Sequence, residues 1–209
     1  MKTLIDVFDD PKFIKLVQSK LPYFFALAEK DATRGGKLGM EIGSVRERVL
    51  IGLLVSTFGS KNINHDIPIT ESEIDVFVFN KGISIKTKTG TSYSGIKVIW
   101  TVDWEKVKQF LKSYTPQCDL LFVQINWNGE GKITYIPIGI QEKVLQNMGL
   151  ENYLKAPPPN TNPRGVEFSK DAVKQMVEHK DTKKIPIFWK RPNIEYDAIQ
   201  PWVERWNES

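Results

Sequence analysis

The segment "DLLFVQINW", residues 119–127, carries Leu120, Leu121, Phe122, Val123 and Ile125 on both parities of an extended chain. Successive side chains of a strand point to opposite faces. A strand that is apolar on both parities belongs where both faces of its sheet are covered. This chain is therefore expected to place a sheet between two layers, and the segments around it say what those layers are.

"SVRERVLIGLLVSTFG", residues 44–59, reads as a helix that is apolar on nearly every side from Val49 to Val55, a central, buried element. Ser44 and Glu47 spell an S-x-x-E capping box, and Gly59 supplies the stop. Strands are expected around Ile63–Ile69, Ile74–Phe79 and Ile83–Lys88, with a hairpin turn at Asn80, Lys81 and Gly82. "SGIKVIWTV" is a further strand, and "DWEKVKQFLKSY", capped by Asp103, is a helix that leads into strand 119–127. The core order is helix, three strands, helix, strand. Such an αβββαβ run gives an α/β (α+β) fold: a mixed sheet with a helix on each side.

The remainder extends this core. Residues 10–32 show helical spacing, with Pro22 expected to break them into two helices. "TRGGKLGMEIG", residues 33–43, is expected to be an irregular basic loop with four glycines. After residue 127, "NGEG" turns the chain into the strand "KITYIPI". Helices follow, capped near Gln141 and at Ser169, then a late strand "IPIFW" and a short C-terminal helix, "AIQPWVERWNES". The reading is one domain over 1–209: N-terminal helices and a basic loop to 43, a core over 44–127, and an extension over 128–209.

Composition excludes several classes. Apolar residues make up 41% and charged residues 26% of the 209, which suits a packed core rather than disorder. No apolar run reaches the ~18 residues of a membrane span. "MKTLIDVFDD" has acids where a signal peptide would be apolar, so a cytoplasmic protein is expected. The single cysteine, Cys118, excludes an intramolecular disulfide, and His65 and His179 have no Cys or His neighbour to make a zinc site. The net charge of +4 is compatible with an anionic partner without demanding one.

The hairpin carries the chemistry. With a turn at Lys81–Gly82, Asp75 pairs near Lys88 and Phe77 near Lys86. Alternation by twos then puts Asp75, Ser84, Lys86 and Lys88 toward one face, with Glu71 and Glu73 on the parity of Asp75. The strands are otherwise Ile, Val and Phe, so the face is mostly covered, and a covered charge is costly without a partner or a task. Phosphodiester hydrolysis wants this set. A carboxylate holds Mg²⁺, the ion polarises phosphate and acidifies a bound water, and a lysine orients or deprotonates that water. Hard oxygen ligands suit magnesium rather than zinc.

Asp75, a hairpin, then Ser84-Ile85-Lys86, set in an αβββαβ core behind a Glu-bearing helix, resembles the PD-(D/E)XK nuclease superfamily over roughly residues 44–127. The lengths and polar loops look like a type II restriction endonuclease of the small, blunt-cutting ThaI kind, which would imply a short G·C-rich palindrome. Two positions depart from the pattern. Ile74 stands where the motif has Pro, and Ser84 stands where it has its second acid. The resemblance makes Glu47 the compensating carboxylate, since helical glutamates reach this site in relatives; a pure capping role for Glu47 is the alternative. Asp75, Glu47 and the main-chain carbonyl of Ile85 are the candidate metal ligands. Asp75, Lys86, Glu47 and Ser84 form the candidate catalytic set, with Lys88 as the alternative amine.

Three segments are candidates for contact with double-stranded DNA. Residues 33–43 offer Arg34 and Lys37 as charges and Met40 either as a wedge between base steps or as a core residue beside Ile42. Residues 88–100 offer Ser92, Tyr93 and Lys97. "APPPNTNPRGVE" offers Asn160, Thr161, Asn162 and Arg164 on a proline-stiffened loop, residue types suited to reading base edges. A palindromic target implies a two-fold homodimer with one active site per strand. A structure-specific nuclease of the same core, and an inactive DNA-binding domain, are the alternatives.

Overall fold

The computed structural model describes residues 3–34, 37–39, 41–68 and 73–208. In chain order its elements are α1 (Leu4–Val7), α2 (Pro11–Asp31), β1 (Thr33–Arg34), β2 (Lys37–Leu38), α3 (Ile42–Phe58), β3 (Ile63–Asn64), β4 (Val76–Val78), β5 (Lys81–Thr89) and β6 (Lys97–Ile99). These are followed by α4 (Trp104–Ser113), β7 (Asp119–Ile125), β8 (Glu130–Ile136), α5 (Ile138–Met148), α6 (Leu150–Tyr153), β9 (Leu154–Lys155), β10 (Val166–Phe168), α7 (Lys170–Glu178), β11 (Lys183–Phe188) and α8 (Gln200–Asn207).

All seven residues of β7 are buried, as the double-sided apolar pattern requires. The strand sits inside a six-stranded mixed sheet of order β11-β8-β7-β5-β4-β3, in which only β5 and β7 run parallel. On one face Phe13, Val17 and Phe25 of α2 and Leu50 and Leu54 of α3 pack against Ile83, Ile85, Leu121, Val123 and Ile185. On the other, Leu120, Phe122 and Ile136 meet Val107 of α4, Val144 of α5 and Met176 of α7. Each side chain fully buried in this way contributes about 1.5–3 kcal/mol. The expected helix, three strands, helix, strand order is α3, β3, β4, β5, α4, β7. The strand from "SGIKVIWTV" is β6, and it leaves the main sheet to form a three-stranded sheet of order β6-β10-β9.

Several sequence expectations are corrected. Pro22 does not break the N-terminal segment: α2 runs unbroken for 21 residues with Pro22 buried inside it. One lost backbone bond is outweighed by a continuous apolar face (Phe13, Val17, Leu21, Phe25) lying against the sheet. The helix expected at 44 begins at Ile42 with Glu41 at its N-cap, so Ser44 and Glu47 do not form a capping box. Gly59 does end it, with φ +82° and its N–H donating to Val55 O. Gln141 lies inside α5, which starts at Ile138, and its Nε2 donates instead to Cys118 O. Ser169 and Asp103 cap α7 and α4 through their side chains as expected. Part of the 33–43 loop is a two-stranded ribbon, in which Arg34 pairs with Lys37.

The hairpin turn lies two residues earlier than expected. Val78 pairs with Lys81, so the two-residue turn is Phe79–Asn80, both with positive φ, at 50° and 64°. That left-handed geometry matches the twist of the flanking strands. Asn adopts it readily; Phe79 is held there by edge-on packing against Phe58 at 5.3 Å. Asp75 therefore sits opposite Ser84 rather than Lys88, with its N–H donating to Ile83 O. The register moves by an even number of residues, so Asp75, Ser84 and Lys86 still share a face.

Candidate active site

β4 ends its pairing beside Asp75, and β5 brings Ser84 and Lys86 up on the same side. Three donors converge on one oxygen of that carboxylate, Asp75 Oδ2. The main-chain N–H of Ile85 lies at 2.5 Å, Lys86 Nζ at 3.2 Å and Ser84 Oγ at 3.3 Å. The side chains of Asp75 and Lys86 are each 21% exposed, open enough for a substrate to reach and covered enough to strengthen the pair. Lys88 points elsewhere: its Nζ lies 3.4 Å from where a Cβ on Gly95 would be, in the loop that follows β5.

Glu47 faces this cluster from α3. Burial, and then the negative charge of Asp75, push its carboxyl up to about 7, against the pull of Lys86 and Arg48. Two carboxylates held this close suit a cation between them. Glu73, on the parity of Asp75 and the next acid in line after Glu47, is a neighbour of this cluster. It is buried, accepts from Tyr114 Oη at 3.3 Å, and lies within the field of Lys86. Burial pushes its carboxyl up to about 7 as well. Its parity with Asp75 was the signal that pointed to it. Glu71 lies outside the described residues.

These oxygens fit a hard divalent cation. Asp75 and Glu47 supply the carboxylates, and the Ile85 carbonyl is the main-chain candidate. Among the described residues no group of three or more His, Cys, Asp or Glu side chains assembles a metal cage. The candidate donor set is two carboxylates plus main chain, which would leave room for water and phosphate on a hard cation.

The flanking candidates fall into two groups. Arg34 and Lys37 lie on the β1–β2 ribbon, Lys37 exposed; Met40 lies outside the described residues. The other two loops meet. Lys97 Nζ donates to Arg164 O, and Trp104 Nε1 donates to Thr161 O at 3.0 Å. Together they wall a cavity of about 420 Å³ that Lys97, Lys155, Thr161, Asn162 and Arg164 line. Lys97 and Thr161 thus brace the proline loop, while Asn160, Asn162 and Arg164 stand exposed on it. Ser92 is exposed and bonded to Ser94. Tyr93 is half-buried, and its Oη accepts from Lys132 Nζ at 2.9 Å.

A second constellation had no sequence signal. Glu29 on α2 accepts from Arg46 of α3, from Trp127 Nε1 at 2.9 Å and from Arg191 Nη2 at 2.7 Å. Arg46 also reaches Thr89 Oγ1 at 3.0 Å, three residues beyond Lys86 on β5.

The profile of the family described as "Restriction endonuclease ThaI" matches residues 7–208. A solved structure described as "Restriction endonuclease in complex with substrate DNA" superposes with a TM-score of 0.92 at 47% identity, covering 99% of both chains. No match was found among curated proteins.

Proposed function

Because the chain belongs to the ThaI restriction endonuclease family and is a type II site-specific nuclease, we propose that it cuts both strands of a short palindromic, G·C-rich DNA site with Mg²⁺, as a homodimer. The observation that carries this reading is the gathering of the Ile85 N–H, Ser84 and Lys86 on one oxygen of Asp75, with Glu47 alongside. The relative described as bound to substrate DNA supports the choice of substrate.

Asp75, Glu47 and the Ile85 carbonyl would hold the ion. Bound there, Mg²⁺ would polarise the scissile phosphate and make a coordinated water more acidic. The chain's own groups do the rest. The Ile85 N–H and Ser84 Oγ fix the Asp75 carboxylate through one of its oxygens. Lys86 would orient the attacking water, or take its proton as the neutral amine. Ser84 takes no proton; it occupies the place of an acid, and Glu47 supplies the missing charge from the helix. Arg164, Asn160 and Asn162 are suited to base edges, while Arg34 and Lys37 are suited to phosphates. A dimer follows from a palindrome, because each strand needs its own site.

Incubating plasmid DNA with and without Mg²⁺ tests the reading. Discrete fragments that appear only with the ion support it. Nicks confined to cruciforms would replace it with a structure-specific nuclease, and cutting of equal extent without divalent ions would remove the metal site.

A further inference from the structure

The last helix of the chain turns its apolar side to solvent. In α8 and its N-cap, Ile199, Trp202, Val203 and Trp206 fall at spacings of three, four and seven, which is one stripe on a helix. They are 64%, 57%, 43% and 88% exposed, and α8 buries no residue against its own chain. The opposite side is polar, with Gln200 bonded to Glu204. An eight-residue helix is far below the ~12–15 residues that hold helical form alone in water. Its stability must come from what covers the stripe.

The same chain offers a matching surface. Between α2 and α3 runs an apolar groove of about 360 Å³ whose lining includes Leu16, Val17, Leu21, Phe24, Val49 and Leu53, with the exposed Lys20 beside it. Phe24 and its neighbour Tyr23 are 41% and 47% exposed. The segment leading to α8 is anchored at the far end of α2, where Tyr196 Oη donates to Asp31 at 2.7 Å. From that anchor α8 leaves its own groove uncovered, so one molecule presents both a stripe and a groove.

We propose that α8 is an arm that docks on a second copy of this chain, its stripe seated in the groove between the other copy's α2 and α3. A two-fold axis makes the exchange reciprocal. Two tryptophans bring about 150–250 Å² each. With Ile199, Val203 and the groove walls counted on both copies, the exchange buries roughly 1,200–1,400 Å², the lower end of the size of a stable interface. The proposal names the contact for the homodimer put forward above and rests on that reading.

The test is the association state of the full-length chain and of a Trp202→Ser/Trp206→Ser variant, by sedimentation equilibrium without DNA. The wild type is expected to dimerise at micromolar concentration and the variant to dissociate at least tenfold more readily, with the same melting temperature for both at dilutions where each is monomeric, because α8 buries nothing in its own body. A monomeric wild type, or a variant that dimerises equally well, overturns the arm. Mixing Trp206→Cys chains with Ser56→Cys chains under oxidation supplies a second measurement, since the native Cys118 is buried. A species of twice the chain mass supports the exchange; a disulfide formed within single chains carrying both substitutions, with none between mixed chains, overturns it. Plasmid cutting by the wild type is scored separately: failure to cut fells the nuclease reading and leaves the association result standing, and the reverse holds equally.

Discussion

Arg46 and Glu29 form an ion pair with side chains only 4% and 8% exposed, joining α3 to α2 next to Thr89 at the end of β5. Burial pushes the Arg46 guanidinium down from its ordinary range, and Glu29 opposes that shift. The guanidinium also lies 5.7 Å from the ring centre of Phe25. Removing one partner of such a pair leaves an uncompensated buried charge, at a cost of about 3–5 kcal/mol. Glu29→Gln is therefore expected to lower the unfolding free energy by that order in a urea titration, and more than Arg191→Met, since Arg191 is half exposed and holds the other oxygen. Equal losses would mean that the outer arginine carries the cluster.

Asp75→Ala should abolish cleavage while DNA binding in a gel shift stays largely intact. The substitution removes the proposed metal-binding carboxylate and the acceptor for Ile85 N–H, Ser84 and Lys86 together. A variant cutting at more than a few per cent of the parent rate would disprove the site.

Lys86→Ala should slow single-turnover cleavage by about 10²–10⁴-fold, the usual worth of a group that moves or orients a proton. Lys88→Ala should cost far less, because its ammonium lies by Gly95 and not by Asp75. The reverse ranking would move the chemistry one pleat along β5.

Glu47 gives a pH prediction. Its carboxyl is raised from 4.5 to about 7 by burial first and Asp75 second. A raised carboxyl favours the folded state below its unfolded pKa, and that contribution is lost as pH climbs from about 4.5 through about 7. Glu47→Gln should therefore gain stability relative to the parent toward pH 8 and lose that advantage toward pH 4. Mg²⁺ needs the ionised form, so the ion concentration for half-maximal cutting should rise as pH falls below about 7 in the parent. In the variant, cutting at low Mg²⁺ should fall steeply. Wild-type cutting by Glu47→Gln at low Mg²⁺ would leave Glu47 outside the metal site.

Arg164→Ala should relax site preference more than it weakens binding to random DNA, because a base-reading arginine carries about 1–3 kcal/mol of discrimination. Lys97→Ala tests the brace instead. It frees the Arg164 carbonyl and should loosen the loop, reducing affinity for target and random DNA alike. Competition binding separates the two patterns.

How far the sequence could be read follows from where each signal resides. The two-sided strand 119–127, the order of the core and the shared face of Asp75, Ser84 and Lys86 are written in local alternation, which an even register change leaves intact. Asn-Lys-Gly is good local turn chemistry, whereas the turn the chain adopts needs Phe79 at positive φ, stabilised by Phe58, a contact made only in the fold. Ser44 and Glu47 match a capping pattern, yet the helix starts two residues earlier, and this frees Glu47 to face Asp75. Glu29 and Arg46 lie 17 residues apart on different helices and leave no trace in local pattern.

The hairpin has a consequence for the order of events as the chain folds. Asp75, Ser84 and Lys86 lie within twelve residues of one another, so their meeting needs only the closure of one tight turn, on the scale of about 1–10 μs. The parallel seam of β5 with β7 needs the chain from Gly90 to Cys118 to loop over first, and such distant pairings come late. The acid–amine pair can thus be assembled before the sheet that will bury it, and its charges meet while water still surrounds them.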